Sequence, residues 1–506
     1  MLTVAYSAGV FGIDGFTVSV ECDSVCDLPD FEIVGLPDAA VKESKQRIEA
    51  AANNSGYGFP QLKMVINLAP ADIKKEGSAL DLAIFSAVMQ AGGVIRGDIK
   101  SSCFIGELSF TGGVRGVRGC LPMVISARDK GFKSIFVPEE NVREAAVVEG
   151  IDVYGVKNVV SLVEHLNGEK IMKPYIAKKI DFEAEERFPF DFSEVRGQER
   201  AKRALEIAAA GGHNVLLIGP PGAGKSMLSK RIPTILPPMT FDEALVTTKI
   251  HSVSGLLSDG NMITRRPFRS PHHTMSAPSL VGGGKNPTPG EISIAHNGVL
   301  FLDELPEFAK NVTESLRQPL EDGKVTITRT AGRVTFPSTF MLICAMNPCK
   351  CGYYGSSVKP CTCKKEDIKK YLSKISGPLL DRIDIHVELP AVEFSQLTSS
   401  ESAEPSSEIR KRVIAARAFA KKRFGEDGPN SNSAMTSSEI RKYCPLDKAS
   451  EMVLKKAFDS MAMSARGYDR VLRVARTIAD LDGSENIKAS HMAEAIQLRT
   501  LDRNYW

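Results

Sequence analysis

The 506-residue chain has no apolar run long enough to cross a bilayer. Its longest, ALDLAIFSAVMQAGG at positions 79–93, falls short of the roughly 20 residues that a spanning helix needs. No basic segment or small-residue cleavage site marks the opening MLTVAYSAGVFGIDGF, which reads as a strand and a turn rather than a secretory leader. Neither sign of charge dominates, since 64 Lys and Arg face 61 Asp and Glu and leave a net +3. A global basic field is therefore excluded, and any nucleic-acid site must be a local patch. No internal repeat is visible. These absences give the expectation of a cytoplasmic chain without a membrane partner. Thiols stay reduced in that compartment, so the ten cysteines are not expected to form a disulfide framework.

What is present is an ordinary globular composition, 43% hydrophobic and 25% charged, in a chain too long for one core. Residues 1–175 alternate short strands (TVSVECD, KMVINLA, SIFVP) with helical stretches, and read as an α/β domain. A charged linker is expected at 176–192, and a block at 193–394 holds the nucleotide motifs. The Ser/Glu-rich segment 395–408 has too few apolar residues to pack and reads as a flexible linker. Residues 409–506 show helical apolar spacing throughout.

The strongest local signal is GPPGAGKS, Gly219 to Ser226, placed between the apolar run NVLLI and the helical KSMLSKRI. Gly219, Pro220, Pro221, Gly222, Ala223 and Gly224 form a loop whose backbone N–H groups converge on phosphate oxygens. Lys225 reaches the β- and γ-phosphates, Ser226 ligates Mg²⁺, and Met227 continues the nucleotide-facing turn. The apolar strand VLFLDE delivers Asp303 to the magnesium shell and Glu304 to the attacking water. A third strand, FMLICAMN, ends in Asn347, which is either a γ-phosphate sensor or a capping residue. In GPLLDRIDI, Arg382 is either a finger for a neighbouring subunit's site or the partner of Asp381 or Asp384.

Taken together, GPPGAGKS, GVLFLDELPEF, CAMNPC, SGPLLDRIDIHVE and SARGYDRVLRVARTIADL resemble the magnesium-chelatase-like AAA+ ATPases, and among them the YifB/ComM group. The resemblance extends over nearly the whole chain. It implies a Lon-protease/ribosomal-S5-like N-terminal domain, an AAA+ P-loop αβα core and a C-terminal helical lid. It also implies an ATP- and Mg²⁺-dependent ring, hexameric in this group, with Arg382 as arginine finger. Arg466 matches sensor 2, although helical register leaves Arg470 and Arg473 as alternatives.

A hairpin signal, KVTITRTAGRVTFP, spans 324–337 with Lys324 at its base and Arg329 and Arg333 near its tip. The related MCM helicases place a basic hairpin here, facing DNA in the pore. Such a ring would contact phosphates of single-stranded or branched DNA without reading sequence. The bland reading is an edge kept soluble by charge. The segment 265–298 corresponds to a pore-directed insertion in this clade. It offers Arg265, Arg266, Arg269, His272, His273 and Lys285 as substrate contacts.

Three functions are thus in play. The resemblance favours a DNA motor, a helicase or branch-migration translocase in recombination and natural transformation. The second is a chelatase-like protein-remodelling ATPase without DNA action. The third, a Lon-type protease, needs a Ser–Lys dyad. Here Ala79 stands at the nucleophile position, with Ser78 one place early, and Leu121 stands at the lysine position.

Four of the ten cysteines fall within fifteen positions, as Cys349-x-Cys351 and Cys361-x-Cys363. Four thiolates suit a tetrahedral structural Zn²⁺, although zinc loops commonly use C-x-x-C. The competing reading is a cluster of reduced thiols on a loop.

Overall fold

In a computed structural model the described residues are 1–177, 182, 188–257, 260–284, 287–329, 332–356, 359–391, 403–461 and 463–499. Lys285, the first two residues of the TAG turn and positions 395–402 of the expected linker lie outside them. So does most of the charged stretch at 178–187. The chain forms two compact units, Met1–Asp181 with Phe241–Thr264, and Phe182–Thr240 with Arg265–Trp506.

The first unit is built on a seven-stranded mixed sheet. Its strands are β1 (Leu2–Phe11), β2 (Asp14–Val25), β3 (Asp30–Val34), β4 (Lys63–Ala69), β5 (Ser102–Phe104), β6 (Ser134–Pro138) and β7 (Asp152–Val156), in the order β3-β4-β2-β1-β5-β6-β7. The hairpin β1–β2 pairs Leu2 with Asp23 through to Phe11 with Asp14. The long apolar run of the sequence becomes the helix Asp81–Ala91, packed on β1 and β2. Leu82, Ile84, Phe85 and Val88 are all fully buried there. Each such side chain contributes about 1.5–3 kcal/mol by leaving water, which is why this run sits inside a domain.

The helix Phe241–Val253 belongs to this unit, although it lies within the sequence block 193–394. It packs on the helix Cys120–Asp129, and Ser252 donates to the buried Glu144 at 2.6 Å. Burial pushes the Glu144 carboxyl up, against the hydrogen bonds from Ser252 and Asn141. Ala79 and Leu121 lie in one apolar cluster. Ser78 donates to Glu107, and the buried Lys75 donates to the Pro70 carbonyl. No serine–lysine pair forms among these residues.

In the second unit a five-stranded sheet is parallel throughout. It contains β8 (Val215–Ile218), β9 (Phe268–Arg269), β12 (Val299–Leu302), β15 (Met341–Met346) and β16 (Ile385–Glu388), in the order β9-β12-β15-β8-β16. Two short ribbons lie outside it: β10 (Gly282–Gly283) with β11 (Thr288–Pro289), and β13 (Lys324–Arg329) with β14 (Gly332–Pro337). VLLI, VLFL and MLICAM are buried at every position, the continuous apolar pattern of strands covered on both faces.

Five helices, from Ser406–Phe424 to Ala489–Gln497, follow and share one hydrophobic cluster with the sheet. The first starts at Ser406, so the last residues of the expected 395–408 linker are already helical. The helix Glu199–Gly211 joins the two parts. Arg417 donates to the Ala209 carbonyl at 2.9 Å, and Arg203 pairs with Glu494 at 3.0 Å. No described helix is long and apolar enough to cross a membrane.

Candidate nucleotide site

Sheet order creates the site. Strands β12, β15 and β8 are neighbours, and their register sets Leu302 beside Cys344 and Met346 beside Ile218. β8 and β15 end level and β12 ends two residues short of them, so Asp303, Asn347 and Gly219 emerge along one carboxyl edge, the place where open α/β sheets bind ligands.

Gly219 opens the phosphate loop where only glycine fits, because a Cβ there would fall 2.5 Å from the Leu389 carbonyl oxygen. Lys225 is buried, and its Nζ donates to the Gly219 and Pro220 carbonyls at 2.7 and 3.0 Å and to Asn347 Oδ1 at 3.0 Å. Burial lowers the ammonium's pKa, opposed by the charges of Asp303 and Glu304. Ser226 Oγ donates to Asp303 Oδ2 at 2.6 Å. A hydroxyl and a carboxylate this close can ligate one small hard cation, so the donor set fits Mg²⁺.

Glu304 takes a left-handed backbone (φ 53°), an uncommon conformation for a residue with a long side chain. Its side chain is 59% exposed, accessible to water, while its N–H donates to Asp303 Oδ1 at 3.0 Å. His273 Nδ1 lies 3.7 Å from its carboxylate. His272 stacks on His273 with ring centroids 4.2 Å apart. Tyr371 is buried nearby. Burial pushes its phenol up, joined by the charges of Glu307, Cys349 and Glu304, while the Asn347 backbone N–H pulls it down. Sequence reading gave neither His273 nor Tyr371 a place at this site, because each lies far along the chain from the motifs.

The arginines separate. Arg382 pairs with Glu321 and donates to the Pro378 carbonyl at 2.7 Å, rather than pairing with Asp381 or Asp384. Those two acids face the buried Arg470, at 3.7 and 3.6 Å. Burial lowers Arg470 to about 10 despite both carboxylates. Arg470 is therefore held between these two acids in this structure. Arg466 is exposed in the first turn of the helix Ala465–Leu481, which Ser464 caps by accepting from Gly467 N–H.

The expected hairpin β13–β14 forms, with Lys324 opposite Pro337 and Arg329 opposite Gly332, so Gly332 of the TAG segment belongs to the strand. Val325, Ile327, Val334 and Phe336 are buried, whereas Lys324, Arg329 and Arg333 are exposed. The ribbon β10–β11 lies against it: a Cβ on Gly282 would be 3.1 Å from Ile327, and one on Gly283 3.7 Å from Arg329. Two expected substrate contacts are engaged within the chain. Arg269 is held bidentately by Glu291 at 2.6 and 2.7 Å. Arg266 donates to the carbonyls of Pro237, Pro238 and Asn297.

The four loop cysteines converge, their sulfurs all within 4.8 Å of one another. Cys349 lies 3.3 Å from Cys351 and 3.7 Å from Cys361, and Cys351 lies 3.5 Å from Cys361. A tetrahedral zinc with bonds near 2.3 Å needs sulfur separations of about 3.8 Å, so the donor set fits that ion.

Family models match three consecutive stretches: the ChlI subunit of Mg-chelatase at 20–141, the magnesium chelatase ChlI subunit at 191–397 and its C-terminal part at 403–499. The competence protein ComM of Haemophilus influenzae is 38% identical over 508 aligned positions, covering 99% of this chain and 98% of the relative. YifB of Escherichia coli is 39% identical over 504, with 99% and 98% covered. Similarity to a Lon protease of Acinetobacter baumannii is partial, 30% over 108 positions, or 20% of this chain and 13% of the relative. A P-loop sheet, an acidic strand end and a helical C-terminal region, matched over their length by these models and relatives, make this chain a member of the magnesium-chelatase-like family of ComM/YifB type.

Proposed function

We propose that this protein is an ATP-hydrolysing ring motor that acts on DNA, a helicase or branch-migration translocase in recombination and natural transformation. The Ser226–Asp303 contact beside Lys225 and Glu304 supports the hydrolysis half. Loop N–H groups and Lys225 hold the phosphates, and Ser226 and Asp303 hold Mg²⁺, which neutralises phosphate charge when bound. Glu304 takes the proton from the water that attacks the γ-phosphorus, and the bond to the ADP oxygen breaks. Asn347 orients the γ-phosphate. Arg382 leaves its pairing with Glu321 to serve the neighbouring protomer's nucleotide in a homo-hexamer, and Arg466 closes from the lid.

The single observation that carries the DNA half is the hairpin, whose apolar face is buried and whose Lys324, Arg329 and Arg333 are exposed. A relative named for competence agrees with this reading. The family description favours the second reading, a chelatase-like remodelling ATPase acting on a protein partner. The four cysteines hold one structural Zn²⁺ in either case.

The test is ATPase rate alone and with single-stranded, duplex and four-way-junction DNA, with Glu304→Gln as blank. Stimulation by branched or single-stranded DNA supports the motor. Turnover indifferent to every DNA overturns the DNA half and leaves the remodelling ATPase.

A further inference from the structure

The four-cysteine loop is not a free appendage of the nucleotide site; it forms one of its walls. Gly352, in the turn whose N–H donates to the Cys349 carbonyl at 3.0 Å, lies against the phosphate loop. A Cβ on Gly352 would fall 2.6 Å from Pro221 Cδ and 3.9 Å from Asn347 Cγ, and its φ is +86°. Pro221 is the second proline of GPPGAGKS, and Asn347 receives the Lys225 ammonium at 3.0 Å.

The loop is anchored on Asn347 at both ends. Cys349 follows Asn347 by two positions and is fully buried. Cys363 precedes the helix Lys365–Leu372 by two, and that helix carries Tyr371, on whose phenol the Asn347 N–H acts. The two thiol pairs thus close a circuit that begins and ends at the residue touching Lys225.

We infer that a thiophilic divalent ion bound by Cys349, Cys351, Cys361 and Cys363 holds Gly352 against Pro221 and Asn347, so that metal occupancy sets ATP affinity. The inference rests on the nucleotide reading above and adds to it a second ion with a different task. Mg²⁺ meets the phosphates through oxygen donors, while the thiolate-held ion keeps the loop in shape from behind. Without the ion, no covalent or coordinate bond ties Cys361 and Cys363 to Cys349 and Cys351. The Gly352 turn would then lose its support on the Cys361 side, and the phosphate loop its wall.

The test uses the full chain. Zinc content is measured after chelator-free purification, cobalt is substituted to read the thiolate charge-transfer band, and the affinity for a fluorescent ATP analogue is titrated. Wild type is expected to carry about one zinc per chain, with the cobalt spectrum of a tetrahedral all-thiolate site. The double variant Cys361→Ser, Cys363→Ser should lose the ion and bind ATP about tenfold more weakly, a cost of about 1.4 kcal/mol. Gly352→Ala keeps all four ligands. It should keep the cobalt spectrum and still bind ATP about tenfold more weakly, which separates the contact from any misfolding of the cysteine variant. Cys26→Ser, an exposed cysteine outside the cluster, should change nothing.

Absence of metal from wild type, or unchanged ATP affinity in the metal-free double variant, overturns the inference. A chain that takes cobalt yet binds no ATP overturns the nucleotide reading, and the coupling with it.

Discussion

Ser226 and Asp303, 77 positions apart, meet through a 2.6 Å hydrogen bond from Oγ to Oδ2. The hydroxyl comes from the helix after β8 and the carboxylate from the end of β12, two strands separated only by β15. Because both groups address one point, removing either should act on the metal before it acts on the nucleotide. Ser226→Ala and Asp303→Asn are expected to raise the Mg²⁺ concentration for half-maximal ATPase activity about tenfold or more. Glu304→Gln should leave ATP and Mg²⁺ binding intact while turnover falls by about 10²–10⁴-fold, the range for losing a general base. A magnesium titration of ATPase rate beside an ATP-binding isotherm separates the two classes. Turnover near wild type in Glu304→Gln would remove that residue from its role.

The hairpin arginines make a prediction about slope as well as affinity. Each phosphate contact releases condensed counterions, so log K falls with log salt by about 0.9 per contact on duplex and about 0.7 on single strands. Arg329→Ala with Arg333→Ala should weaken binding and flatten that slope by about 1.4 on single-stranded DNA if both arginines touch phosphate. Anisotropy titrations at several salt concentrations give both values. An unchanged slope would assign the two arginines to solubility.

Arg470 and Arg466 should fail in different assays. Arg470 is buried between Asp381 and Asp384, and breaking a buried pair typically costs about 3–5 kcal/mol. Arg470→Ala should therefore lower the melting temperature, whereas Arg466→Ala should leave it unchanged and reduce ATPase activity. The pH dependence follows from Asp384. Burial alone would raise its carboxyl, but the His213 hydrogen bond and the charges of His213, Arg470 and Arg473 hold it below the usual value. A depressed carboxylate contributes stability above its unfolded pKa of about 3.9, and that contribution is lost as pH falls through the folded value. Wild type should lose stability below about pH 4 more steeply than Asp384→Asn, which starts lower at neutral pH. Parallel melting curves from pH 7 downward check both statements.

Much of this site was legible in one dimension. GPPGAGKS is eight contiguous residues whose backbone demands are local, so strand, loop and helix could be placed without knowing the sheet. VLFL and MLICAM betray buried parallel strands by being apolar throughout, which made Asp303 and Asn347 visible as polar strand ends. The hairpin itself was legible from period-two alternation around a short turn, while its register, with Gly332 paired to Arg329, was not. Four cysteines within fifteen positions announced themselves, and spacing alone left zinc and reduced thiols both open.

Other features needed three dimensions. Only the strand order brings Asp303, Asn347 and Gly219 to one edge, because order is set by packing between segments that share no local signal. The partner of Arg382 is Glu321, not the flanking aspartates, since side chains adjacent in sequence diverge from a turn. Which lid arginine is buried depends on the rotation of a helix about its own axis, and neighbouring helices decide that. The helix Phe241–Val253 packs with a unit whose main segment ends at Asp181, sixty positions before the helix begins. Local sequence thus determined the elements and the chemistry of each strand end. Tertiary packing decided which ends meet, which charges are consumed by the fold, and that the cysteine loop leans on the phosphate loop.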